Sequence, residues 1–147
     1  MLECGVQTAV PAELEVIGRM KGGVDAHAVA QKVAEKLALV RERGIEFELS
    51  LIYGLPRQTL DSFQESLDWA RKTGASRVAA YGLMLLRGTE MHRQRDALGL
   101  REALLPRPAS DDGRLQEFIP HVVETPTMST AQWLRAGRLA STTTANV

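Results

Sequence analysis

The chain has 147 residues, 44% of them hydrophobic, which is enough to enclose one modest core and too apolar for a wholly disordered protein. Its 18 Lys and Arg residues balance its 18 Asp and Glu residues, so no net field draws it onto a nucleic-acid backbone or an anionic membrane. No apolar run reaches the ~18 residues of a membrane span, the first residues lack the basic start and apolar middle of a signal peptide, and a single cysteine, Cys4, excludes an internal disulfide. A cytoplasmic address is the default expectation.

In chain order, Leu2 to Val6 is a short apolar run interrupted by Glu3, and it predicts a strand. Pro11 suits a first helical turn, where its missing N–H is not needed. A short helix is therefore expected from Pro11 to Ile17, with Leu14 and Ile17 inward, stopping at Gly18. Asp25 offers an N-cap carboxylate to a longer helix in which Val29, Val33, Leu37 and Val40 recur at three- and four-residue spacing, and Gly44 ends it. Ile45 to Tyr53 holds Phe47, Leu49, Leu51 and Ile52, dense enough for a strand buried on both faces, with Glu46 and Glu48 at its entry. After a Gly54-Leu55-Pro56 turn, Thr59 or Asp61 opens a third helix with Leu60, Phe63, Leu67 and Ala70 on one side. Gly74 closes it, and Val78 to Leu86 is the third strand.

This order of strand, helix pair, strand, helix and strand predicts an α/β fold of parallel strands joined by right-handed crossovers. Composition changes near Leu98, and Pro106, Pro108, Asp111, Asp112 and Gly113 mark a loop. The expected organisation is an α/β part over residues 1–105 and a small C-terminal extension over 106–147. Within the extension, His121 to Glu124 reads as a short edge strand. Ser129 with Gln132 reads as a capping box opening a helix with Trp133, Leu134 and Leu139, and Ser141 to Val147 as a frayed end.

The strongest functional signal is the stretch from Glu48 to Thr59, where an apolar strand runs into a Gly-Pro turn and then a helix. Such a junction sets ligand-binding groups at the carboxyl end of a strand, where α/β proteins build their sites. Glu90, Met91 and His92 fall just past the third strand, on the substrate side of such a site. The three histidines, His27, His92 and His121, have no metal-ligand spacing, and Cys4 reads as a packed strand residue. Arg19, taken alone, reads as a surface arginine at a helix end. Trp69 and Trp133 read as packing anchors, because no basic cluster surrounds them as a single-strand nucleic-acid site requires. Neither a nucleophile elbow nor a phosphate-cradling glycine loop occurs, and Lys21-Gly22-Gly23 is too short to count, which disfavours a hydrolase or a phosphate binder.

Leu2-Glu3-Cys4-Gly5-Val6-Gln7-Thr8 and Tyr53-Gly54-Leu55-Pro56-Arg57-Gln58-Thr59 resemble the later strands of radical S-adenosylmethionine (SAM) enzymes of the oxygen-independent coproporphyrinogen oxidase and methylthiotransferase type. The resemblance spans residues 2 to 92 and implies about three parallel strands of a TIM-type barrel, forming its C-terminal half. In that family the glutamine of Gly-Val-Gln hydrogen-bonds the cofactor's ribose, and a following arginine holds its carboxylate, a task suited to a planar charged fork. By resemblance Gln7 and Arg19 take these roles. An acidic residue often precedes Leu-Ile-Tyr-Gly-Leu-Pro in the family; here Ser50 stands there, a neutral and weaker acceptor. Tyr81-Gly82-Leu83 falls where the sixth strand passes the adenine, and Leu86 to Met91 resembles the Pro-Gly-Thr segment that follows, with Arg87 in place of proline. The implied cofactor-binding set is Gln7, Arg19, Ser50, Gly54 and Gly82, with no catalytic residue and no metal ligand assigned.

The resemblance also implies chemistry. In the family a [4Fe-4S] cluster held by three cysteines passes an electron to bound SAM, and a deoxyadenosyl radical abstracts hydrogen from a substrate. The cysteine triplet does not occur in this sequence, so the chain is expected to be a fragment that binds no cluster by itself and is inactive alone, the cluster ligands lying upstream of Met1. A truncated gene product, a mis-started reading frame, and a module that completes a partner's N-terminal half-barrel all fit. The substrate, small molecule or macromolecule, is left open. The non-enzymatic alternative is an interaction module that pairs its open sheet edge with another chain, and the unpaired edge at Leu2 to Val6 predicts self-association.

Overall fold

The computed structural model describes residues 1–20, 26–105 and 119–144. Strands β1 (Leu2–Gln7), β2 (Phe47–Tyr53) and β3 (Arg77–Gly82) lie parallel in one sheet of order β1-β2-β3, so the central strand is the most apolar of the three. Phe47, Leu49 and Leu51 point to one side of it and are almost completely buried against Phe63, Leu67 and Ala70 of helix α3 (Leu60–Lys72). Leu37 of helix α2 (Ala26–Glu42) joins the same cluster, as the spacing of its apolar residues predicts. Glu48 is tolerated within buried β2 because Arg77 of the neighbouring strand pairs with it at 3.3 Å.

Helix α1 (Pro11–Val16) starts on Pro11 and buries Leu14. Thr59, rather than Asp61, caps α3: its hydroxyl accepts from the Ser62 backbone N–H while the Ser62 hydroxyl accepts from the Thr59 N–H. The predicted cap of α2, Asp25, lies outside the described residues, as do Lys21 to Gly23, the turn residues Pro106 to Gly113 and residues 145–147.

Beyond the sheet, the chain departs from expectation. The third strand ends at Gly82 instead of Leu86: Leu83 still donates its N–H to the Tyr53 carbonyl, but its own carbonyl accepts from the Val122 N–H and Leu85 donates to the Pro120 carbonyl, so the chain passes from the parallel sheet to residues 120–122. A short helix α4 (Glu90–Arg93) and a strand β4 (Arg101–Ala103) were not expected. The latter runs antiparallel to β5 (His121–Glu124), which forms where the alternation places it.

Helix α5 (Thr130–Thr144) opens on the expected Ser129 and Gln132 exchange and lays Ala136 and Ala140 into the core made by β2 and α3. The small polar stretch expected to fray continues this helix through Thr144. Ser141 and Thr142 donate their hydroxyls to the Gly137 and Leu139 carbonyls, satisfying groups that would otherwise need water. Among the described residues no helix is long and apolar enough to cross a membrane.

Candidate functional site

Two-residue alternation along β1 sends Cys4 and Val6 toward the helices, where they pack on the main core, and leaves Glu3, Gly5 and Gln7 for the other face. The pairing with β2 slips between Gly5 and Gln7: Gly5 opposes Ser50, yet Gln7 opposes Leu51. This bulge carries Gln7 into a left-handed backbone at φ 72°, which costs a non-glycine residue on the order of 1 kcal/mol. The strained glutamine stands at the rim of a cavity of about 580 Å³. Its floor is Gly5, Ser50 and Ile52 from the first two strands. Tyr81 and Gly82 close one side, and Met84, Thr89 and Met91 come from the segment after β3.

Most of this wall is apolar, so its few polar groups decide what it accepts. Ser50 donates its hydroxyl to Oε1 of Glu3 at 3.2 Å across the two strands. Glu90 also lines the cavity, but Arg93 holds its carboxylate at 2.8 Å and Gln94 at 2.6 Å, and these hydrogen bonds keep its carboxyl below the usual carboxylate range. Among the described residues no Lys, Arg or His stands in the wall.

Behind the cavity, a buried polar network fixes the Gly-Leu-Pro turn. Gln58, wholly buried, accepts from the backbone N–H of Gly54 at 2.8 Å and of Leu55 at 3.3 Å, and donates to Ile52 O at 3.2 Å and Glu13 Oε2 at 3.1 Å. The Glu13 carboxylate, 1% exposed, also accepts from the hydroxyls of Thr8 and Ser62. It therefore ties the start of α1 to the end of β1 and the start of α3, and every charge-bearing oxygen is satisfied. Gly54 has φ 87°, and a Cβ there would come within 3.1 Å of Val122 O and 3.2 Å of the Trp133 indole nitrogen. Tyr53 stacks beside it with ring centroids 5.6 Å from both Phe63 and Trp133, and its burial raises the phenol above the ordinary range.

The structure brings Gln7, Ser50 and Gly82 to one cavity, together with Glu90 and Met91. It does not bring Arg19 there. That residue is exposed and lines a separate cavity of about 200 Å³ between β1 and the helices, beside Val29, Val33 and Trp69. Gly54 likewise lies outside the cavity wall, packed under β5 and α5. Sequence reasoning passed over Glu3, Glu13 and Gln58. For Glu3 the signal was present, since residues 3, 5 and 7 of one strand share a face. Among the described residues no group of three His, Cys, Asp or Glu side chains is placed to hold a metal ion.

No family model matches the chain. It is 29% identical over 90 residues to the heme chaperone HemW of Mycobacterium tuberculosis strain H37Rv, an alignment covering 61% of this chain and 22% of that protein. It is 32% identical over 79 residues to the oxygen-independent coproporphyrinogen III oxidase of Helicobacter pylori strain J99, covering 53% of this chain and 16% of the relative. In structure it is similar to coproporphyrinogen III oxidase HemN of Escherichia coli, a radical SAM enzyme, with a TM-score of 0.52 and 27% identity, covering 79% of this chain and 24% of that one. The chain thus spans less than a quarter of the length of each of these proteins. Sequence and structure together place the resemblance of this chain with the radical SAM superfamily, on the side of HemN and HemW.

Proposed function

We propose that this chain forms one wall of a SAM-binding cavity in a radical SAM-type protein, its three parallel strands being part of a partial TIM-type barrel. The observation that carries this reading is that Gln7, Ser50 and Gly82, matched by resemblance to cofactor-binding positions, line one cavity. Its volume of about 580 Å³ falls within the roughly 300–1,000 Å³ of small-molecule sites. The donor set fits a nucleoside ligand: an amide held in a strained backbone, a hydroxyl, backbone groups beside Gly82, and apolar side chains such as Ile52 and Leu55 that exclude water.

When bound, SAM supplies by reductive cleavage the deoxyadenosyl group that abstracts hydrogen from a substrate. The residues of this chain orient it. Gln7 offers its amide to the ribose, and the backbone of Tyr81 to Leu83 runs alongside the adenine, with Gly82 itself packed against Tyr53 and His121 on the other face. Arg19 and Gly54 are left out of this assignment, since neither stands in the wall. The [4Fe-4S] cluster does not fit these residues, because Cys4 packs toward the helices; its thiolates would come from outside this sequence, and the chain alone is inactive. A cytoplasmic setting suits such a protein.

Equilibrium dialysis of labelled SAM against the purified chain tests the reading. Weak saturable binding, reduced about tenfold by Gln7→Ala, is expected. Absence of any adenosyl binding overturns it.

A second reading is favoured by one observation: β1 has a partner on one side only, and its Leu2 is 47% exposed. Such an edge seeks another strand, from the complementary half-barrel or from another chain. Self-association in analytical ultracentrifugation supports this reading, and a monomer at high concentration removes it.

A further inference from the structure

We infer that the smaller cavity, on the helix side of β1, is a second ligand site that takes a small apolar carboxylate, with the body of the ligand in the cavity and its head on Arg19. Native interiors pack as densely as organic crystals and leave few voids larger than a water molecule. Here about 200 Å³ stands open between β1 and helices α1, α2 and α3. Leu14 forms part of its wall, and Val29, Val33 and Trp69 remain only half-buried around it. An apolar cavity of about 150 Å³ already admits a benzene ring, so this one has room for a six-membered ring or a short aliphatic chain. Gly5 alone borders both this cavity and the larger one, which makes the site distinct from the one proposed for SAM.

The polar atoms of the floor are already spent. Thr8, wholly buried, donates its hydroxyl to Glu13 and accepts from the Val10 N–H, with the Ser66 hydroxyl at 3.2 Å. The Ser66 oxygen in turn accepts from the Ala9 N–H. A ligand that enters therefore meets an apolar surface and gains from the area it removes from water. Among the described residues Arg19 is the one charged group of the wall, and no described carboxylate pairs with it. Its backbone is fixed, since its N–H donates to the carbonyl of Leu14, itself in the wall, at 2.8 Å. Its side chain is exposed, so the fork of donors stands open at the mouth. A planar guanidinium matches a carboxylate with two parallel hydrogen bonds. With apolar walls behind it and a single cation in front, the cavity selects a monoanion over a neutral or cationic analogue of the same shape.

The test titrates the whole chain with benzoate, benzamide, benzylamine and acetate and follows the indole resonance of Trp69 by NMR, assigned with Trp69→Phe. Benzoate is expected to shift that resonance saturably and to bind about tenfold more tightly than benzamide, with benzylamine and acetate weaker still. Arg19→Gln is expected to bring the affinity for benzoate down to that for benzamide, and Val33→Phe, which fills the cavity, to remove both. Because Arg19 is exposed, its exchange leaves the fold unchanged, and the result is readable even where Val33→Phe does not fold. An excess of SAM is expected to leave the affinity for benzoate as it was. Equal binding of benzoate and benzamide by the wild type, a preference for benzoate that survives Arg19→Gln, a Trp69 resonance that no probe moves, or displacement of benzoate by SAM would each overturn the inference.

Discussion

The two faces of the three-stranded sheet are made by the same strands and serve opposite ends. Toward the helices, Phe47, Leu49 and Leu51 of β2 close onto Phe63 and Leu67, all of them at most 1% exposed. Toward the cavity, Glu3, Gln7, Ser50 and Tyr81 leave an open, partly polar hollow, with Tyr81 53% exposed. One face holds the fold together and the other chooses what the fold binds. Because alternate residues of a strand serve alternate faces, neighbours in sequence such as Leu49 and Ser50 carry different duties.

The sharpest way to break the symmetry is to empty the filled face. Phe63→Ala is expected to lower the unfolding free energy by about 3–5 kcal/mol, whereas Tyr81→Ser on the open face should change it by no more than about 0.5 kcal/mol, both read from urea denaturation. Equal losses would mean that the hollow is packed in solution. Next in size is the polar network under the turn. Glu13→Ala strands the hydroxyls of Thr8 and Ser62 and the Gln58 amide without an acceptor, and a loss of roughly 3 kcal/mol is expected in the same assay.

A pH experiment then probes the junction between β5 and the sheet. Partial burial of His121 holds its imidazole below the ordinary histidine value, so between the two values the unfolded chain binds more protons than the folded one. Stability is therefore complete above the unfolded-state pKa and is lost as pH falls through the folded-state value. His121→Asn is expected to flatten that part of the curve; an unchanged slope assigns the acid sensitivity elsewhere. Smallest of all, Gln7→Gly should raise stability by up to about 1 kcal/mol by removing the cost of a left-handed glutamine, while weakening adenosyl binding. A loss of stability instead would show that the amide contributes to folding as well as to recognition.

Much of the filled face was legible in advance, since its residues recur at the spacings that helices and strands demand and its helices stop at glycines. What was not legible depended on chain reversals. Arg19 follows Gly18 in sequence as expected, but at the end of α1 the Arg19 N–H turns back to the Leu14 carbonyl, and the side chain falls on the helix side of β1. The end of β3 was overrun because nothing in Leu83 to Leu86 announces that residues 120 to 122 will compete for its backbone groups. Within the cavity, Gln7, Ser50 and Gly82 were found through resemblance. Glu3 was readable from alternation alone, and the partnership of Glu13 with Gln58 needed the two helix starts to meet across 45 residues of chain.

Gln58 spends its entire hydrogen-bonding capacity, two bonds accepted on its oxygen from the adjacent N–H groups of Gly54 and Leu55 and two donated from its nitrogen, one to the end of β2 and one to α1. Its amide therefore has a handedness: turned end for end, it would present N–H groups to N–H groups and an oxygen to the Glu13 carboxylate. Exchange of that one NH2 for oxygen, as deamidation does, would set two acids face to face in a dry pocket where both cannot stay ionised. The bend that shapes the cavity is in this sense guarded by a single nitrogen atom, and chemical ageing at that atom would reach the ligand site without touching any residue that lines it.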